Sequence, residues 1–351
     1  MHPKIDSLHD HSCLTLHLYL YRYLRDHWFC NAPARLHFAI LTLVGALCAC
    51  SADSPSSSST QAVQGIYAGS ISANAKFSLI GSINHGGSLW DLSSKERLYD
   101  WNHQSGDYSH LVATALSHNG DIAVTADQRR FVFWKTATGE SIGFWSAPDK
   151  VLDVSLSGDG TFALVALKDY SALYINVKEG QILNKFHHQG AIQTVSLSAD
   201  GTLGITGSHD RSAVLWDLVG NKELQRWKFD NTVNLVRISA DGNLAMLSSQ
   251  HDKFMIWDIN TQQVLIEKEN RSKTITAAVF IPNQNAILIG DSMQQIERWD
   301  ISEQKISKNW RLPGKNMWRP ARAKIYDIGV SDNGERFFSI TSEGVVQEWE
   351  F

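Results

Sequence analysis

His188, Ser208 and Asp210 are the place in this chain where residue types and spacing suggest nucleophilic chemistry. A serine beside a histidine and a carboxylate is the set that attacks acyl groups, the imidazole taking the serine proton and the carboxylate fixing its tautomer. Such a set also needs an exposed serine and an oxyanion hole, and the Gly-x-Ser-x-Gly turn that presents many such nucleophiles occurs nowhere in the 351 residues. Metal chemistry would call on His85, His187, His188, His209, Asp210 and His251, but no His-x-x-x-His or comparable ligand spacing appears. The residues therefore predict no catalytic site, no metal and no cofactor.

A second constellation is suited to recognition. Residues 309–324 carry Trp310, Arg311, Lys315, Trp318, Arg319 and Arg322, together with Lys324 and no acid. Trp and Arg are the residues that dominate binding hot spots, and an overlong connection is a usual place for function. The segment is expected to hold a protein partner, with Trp310, Arg311, Lys315, Trp318, Arg319 and Arg322 as its contacts. The competing reading puts Trp310 in a strand and packs Trp318 beneath the loop. Nucleic acid is not expected, because the formal net charge is -4 and the basic character is confined to this stretch.

All four Cys (Cys13, Cys30, Cys48, Cys50) lie in the first fifty residues, so neither a disulfide framework nor a Cys-based zinc site is available later. From Leu36 to Leu47 the chain is apolar, with Arg35 before it and Cys48-Ala49-Cys50 after it. A basic residue, a short apolar run and small residues at its end make a secretory signal peptide, too short for a permanent span of about 20 residues. Leu47-Cys48-Ala49-Cys50 resembles the lipobox of bacterial lipoproteins. That resemblance implies acylation, palmitate included, at Cys50, and Ser51 suits outer-membrane sorting.

The expected domains are an upstream extension at 1–35, with translation starting near Leu36, a signal peptide at 36–49, and the lipidated Cys with a Ser-rich linker at 50–60. The location is then the bacterial envelope, lipid-anchored at the outer membrane and facing the periplasm. An uncleaved anchor or a cytoplasmic protein are the alternatives.

The elements that must position these residues announce themselves by repetition. Aromatic residues closing a strand-like run recur at Trp90, Trp134, Tyr174, Trp216, Trp257, Trp299 and Trp349, four of them followed by Asp. Their spacing matches the roughly 40 to 45 residues of a four-stranded blade. In the same phase, Ser-x-Asp/Asn-Gly stands at 117–120, 157–160, 198–201, 239–242 and 331–334, with a remnant at 72–75 and a replacement, Ile281-Pro282-Asn283-Gln284. Asp-Gly or Asn-Gly between apolar runs is a hairpin turn. In the fourth unit the strands read Ile192 to Leu197, Leu203 to Gly207, Ala213 to Trp216 and Glu223 to Trp227.

The Trp-Asp ends in phase with these turns resemble the WD40 family over about residues 60 to 351. The resemblance implies an all-β, seven-bladed β-propeller at 61–351, preceded by the signal peptide and tether. It further implies that His188, Ser208 (or Thr206), Asp210 and Trp216 form the family's hydrogen-bonded tetrad, locking strands rather than doing chemistry. Other units depart, with Asn84, His251 and Glu343 six residues before their Trp. The fourth strand of the last blade is expected from the segment near Ser57 to Val63, although its serines favour β structure poorly. The function expected is a non-catalytic, monomeric protein-interaction scaffold. The alternative is a periplasmic enzyme or small-ligand binder using the central channel.

Overall fold

The computed structural model describes residues 54–103, 108–313 and 323–351. These form 28 strands, arranged as seven four-stranded antiparallel sheets and no helix. Blades one to six span residues 66–101, 113–146, 151–187, 192–228, 233–269 and 275–311, each running in order from its innermost to its outermost strand. Cys50 and the apolar run at 36–47 lie outside the described residues.

The first turn of each blade explains the recurring Ser. In blade four, Ser198 Oγ accepts from Leu203 N at 3.0 Å, while Gly201 N donates to Ser198 O at 3.0 Å. Gly201 has φ +73°, a left-handed conformation that costs glycine little. The same bonds recur at Ser117, Ser157, Ser239 and Ser331. Blade one keeps the turn with Ala75 at φ 52°, and blade six with Asn283 at φ 57°. Losing the glycine did not lose the turn, because the Ser72 side chain or the Ile281 backbone still closes it.

Second and third strands are buried on both faces, as in Phe162–Leu167 and Ser171–Asn176. A sheet apolar on both sides must be covered on both sides. Seven hydrophobic clusters do this, one at each junction between neighbouring blades. The seventh joins Ile340 and Val346 of blade seven to Ile66 and Ile80 of blade one, so the ring is closed.

Closure is also made by strand pairing. Blade seven consists of β26 (Ile325–Val330), β27 (Arg336–Thr341), β28 (Val345–Glu350) and, outermost, β1 (Ser57–Thr60). The register sets Ser57 against Glu348 and Thr60 against Val345. Residues 57–60, at the boundary of the expected linker and within the segment expected to supply the closing strand, form that strand. Propensity yields here because β28 offers a free row of backbone groups. Side chains reinforce it: Ser57 Oγ donates to Glu348 Oε2 at 2.8 Å and Lys95 Nζ donates to Ser57 Oγ at 3.0 Å.

Around the channel, side chains of one innermost strand accept the free amides of the next blade. Ser155 Oγ accepts from Leu197 N at 3.1 Å, and Ser196 Oγ from Ile238 N at 3.0 Å. Between blades seven and one the hydroxyl is replaced by Gly329, whose Cβ would lie 2.3 Å from Ile71 Cγ2. The backbones close up there, and Asp327 Oδ2 accepts Ile71 N at 2.9 Å instead.

Candidate functional site

The set that suggested nucleophilic chemistry lies at one end of blade four. Trp216, in the third strand Ser212–Asp217, donates its indole N–H to Thr206 Oγ1 at 2.8 Å. Thr206 Oγ1 stands 2.7 Å from His188 Nε2, and His188 Nδ1 stands 3.0 Å from Asp210 Oδ2. The ionised Asp210 can only accept, so Nδ1 carries the imidazole proton; Nε2 of the neutral ring is then an acceptor, and the Thr206 hydroxyl donates to it. The hydroxyl of this chain is Thr206, which corrects the assignment of Ser208. Ser208, the last residue of the second strand, instead donates its Oγ to Gly190 O at 3.0 Å and accepts Asp210 N at 3.1 Å.

The order hydroxyl, imidazole, carboxylate is that of a catalytic triad, but the placement is not. Thr206 is wholly buried and the His188 side chain has no exposure. Burial raises the Asp210 carboxyl, yet bonds from Ser212, Gln189 N and His188 outweigh it and hold the group down to about 2. Burial pushes the His188 imidazole below its usual value, with Asp210 opposing. The arrangement fixes a neutral imidazole between two strands and a loop.

Blade two holds a second such network that the spacing rule missed. His103 Nε2 lies 2.9 Å from Thr125 Oγ1, His103 Nδ1 lies 3.2 Å from Asp127 Oδ2, and Trp134 Nε1 donates to Thr125 Oγ1 at 2.8 Å. The turn before Trp134 is one residue shorter than in blade four, and the connection carrying the His is longer. Offsets counted from Trp or Gly therefore fail. A hydroxyl nine or ten residues before the Trp is the signal that would have found it, and it also finds Ser339, which accepts Trp349 Nε1 at 2.9 Å.

Blade six reaches the same end differently. Trp299 Nε1 donates to Glu297 Oε2 at 3.0 Å, and Lys273 Nζ lies 2.5 Å from Glu297 and 2.9 Å from Asp291. The residues six before the other tryptophans take no such part in blades one and five: Asn84 bonds Gln64, and His251 Nδ1 meets Arg271 O at 3.3 Å.

Three charged groups belong to the channel-lining strands. Asp153 stands in blade three, Arg237 in blade five and Asp327 in blade seven. Asp153 Oδ2 accepts Val195 N at 2.9 Å. Burial pushes both carboxyls above the usual range, with the Arg237 guanidinium drawing each partly back. A carboxyl raised in the fold costs stability as pH rises from its ordinary value of about 3.9 through the raised one. Asp153→Asn should therefore raise the thermal midpoint near pH 8 and change it little near pH 4. Melting curves across that range check this; a lower midpoint for the variant at pH 8 would contradict it.

The basic segment divides. Trp310 lies in the outermost strand of blade six, Lys305–Arg311, and is only 2% exposed. Its ring meets Phe337 at 4.8 Å and Phe351 at 6.0 Å between centroids, in the core joining blades six and seven. It is thus no partner contact, because strand alternation turns it inward between exposed Asn309 and Arg311. Arg311 is exposed. Lys315, Trp318, Arg319 and Arg322 lie outside the described residues.

Two clefts open beside the buried histidines. One, of about 350 Å³, is lined by Tyr108, Ser109, His110, Asp127, Gln128, Arg129 and Arg130. The other, of about 460 Å³, is lined by His187, His188, Gln189, Arg226 and Lys228. Among the described residues no group of three or more His, Cys, Asp or Glu is placed to hold a metal ion.

Residues 180–217 match the family model described as WD domain, G-beta repeat. The matched segment runs from the outer hairpin of blade three to the end of the third strand of blade four, and contains His188, Thr206, Asp210 and Trp216. The chain matches none of the curated proteins with which it was compared.

Proposed function

We propose that this WD40-type propeller is a non-catalytic scaffold for protein partners, held in the bacterial cell envelope by an acylated Cys50. The observation that carries the scaffold half is the use made of its best chemical groups. Both hydroxyl–His–Asp networks are buried and fully bonded, holding strands together, while loops and strand ends around a closed ring are left for recognition. Propellers of this repeat type commonly mediate protein–protein interaction, and the ring needs no partner chain to complete a blade. The envelope half is supported by the apolar run at 36–47 and the lipobox-like residues 47–50.

Crosslinking and affinity purification from envelope fractions, with mass analysis of the N-terminus, tests both halves. The expected result is a protein partner retained by the wild type, weakened by Trp318→Ala with Arg319→Ala, and a first residue Cys50 carrying acyl chains. A soluble chain retaining residues before Leu36 would defeat the anchoring. Failure to retain any partner would defeat the scaffold. A small ligand in the central channel is the second reading, favoured by the charges of Asp153, Arg237 and Asp327. Against it, an oxygen of each carboxylate is already engaged, by the Val195 and Ile71 amides.

A further inference from the structure

The larger cleft lies where the outermost strands of blades three and four, Gln181–His187 and Lys222–Lys228, end. Its floor is His188, already bonded on both ring nitrogens. Arg226 is held rigidly in its wall: Nε donates to Glu223 Oε1 at 2.9 Å and Nη1 to Ser212 Oγ at 3.2 Å. Ser212 in turn donates to Asp210, so the buried network fixes the arginine. Lys228 is exposed at the rim and makes no ion pair among the described residues. Arg211 follows Asp210 in the adjoining turn and is likewise exposed; its carbonyl accepts Phe229 N at 2.9 Å, beside Lys228. The side chains of His187 and Gln189, both exposed, complete the lining.

The two acids of the network itself are already committed. Glu223 is spent on Arg226, and Asp210 is 9% exposed in its side chain and saturated by His188, Ser212 and Gln189 N. A cleft with a fixed guanidinium, an exposed ammonium and the polar side chains of His187 and Gln189 is locally complementary to negative charge. Blade two repeats the plan: Arg130 Nε donates to Asp127 Oδ2 at 2.8 Å, and Arg129 and His110 line the cleft beside it.

We infer that the cleft between blades three and four binds an acidic segment of a protein partner, its carboxylates meeting Lys228, Arg226 and Arg211. The inference rests on the scaffold reading and deepens it. Rigid Arg226 supplies direction, and flexible Lys228 and Arg211 supply attraction over distance. The buried tetrad thereby has a second consequence, since it holds in place the cation that faces outward.

The probe is a fluorescein-labelled hexaglutamate, followed by anisotropy with the full chain at low ionic strength. The wild type should bind it and release it as salt is raised. Lys228→Glu combined with Arg211→Glu should weaken binding about tenfold or more, with an unchanged thermal midpoint showing that the fold is intact. Lys178→Glu, in the turn at the other end of the same outer strand of blade three, should leave binding as in the wild type. Absence of binding by the wild type, or equal loss with Lys178→Glu, overturns the inference, as does full displacement by equimolar inorganic phosphate. Partner capture from envelope fractions separates the two readings. Capture unaffected by the double variant keeps the scaffold and removes this cleft, whereas loss of all capture by the wild type removes the scaffold whatever the peptide does.

Discussion

Deleting residues 51–60 should lower the thermal midpoint by about 10 °C and broaden the transition. The deletion removes β1, which pairs with Val345 to Glu348 of β28. Its backbone bonds, extended by Ser56 N to Glu348 O at 2.8 Å, number roughly five at about 1 kcal/mol each. For a domain of this size each kcal/mol moves the midpoint by about 2–4 °C. The buried Trp349 and Val346 would then sit in an edge strand, with only the contacts of Gln61 and Ala62 to Gly344 left to fasten the outer side. Melting followed by tryptophan fluorescence checks this directly. A truncated chain that melts with the wild type would mean that the blade-seven core alone closes the ring.

Asp210→Ala is the point substitution expected to cost most, about 3–5 kcal/mol, because it strips a buried network of its acceptor. His188 Nδ1, Gln189 N, Ser212 N and Ser212 Oγ all lose their partner together. The wild type should carry the signature of this group in acid. A carboxyl held near 2 contributes stability that is whole above its ordinary value of about 3.9 and fades as pH falls from there toward 2. The contribution is roughly 2 kcal/mol. His188 acts higher: held neutral in the fold, it favours the native state fully above about 6.5 and progressively less as pH falls through its lowered value. Urea midpoints measured from pH 7 to pH 3 should show the wild type falling toward the variant. Parallel curves for the two proteins, or a loss under 1 kcal/mol at pH 7, would remove Asp210 from this role.

Most of the ring was legible because its signals are local. Each Ser-x-Asp/Asn-Gly turn is closed by bonds within six residues, so type and place follow from sequence. The fourth-unit strands read from the sequence agree with those found to within one residue at each end. What escaped depends on neighbours far along the chain.

Trp310 looked like a ligand of partners because its composition was read without its phase. Phe186 and Trp227 hold the equivalent place in blades three and four, each buried and second from the end of its outer strand, and that comparison was open to a reader of the sequence. The blade-two network was hidden by a shortened turn and a lengthened connection, which shift its members against fixed offsets. Asp153, Arg237 and Asp327 carried no signal at all, since their shared surroundings exist only once the ring has closed.

The closing pair also sets an order of events. Ser56 bonds a residue 292 positions later, so this contact forms only after almost the whole domain has been synthesised. Until then a chain emerging N-terminus first carries an unmatched strand past six growing sheets, each with an open edge. A hydrophobic strand would pair with the wrong one or with another chain. Four serines and a threonine make a segment that wets easily and pairs weakly, able to wait for the one edge that also offers Glu348 and Lys95. The poor strand former is, in kinetic terms, a safeguard against misassembly.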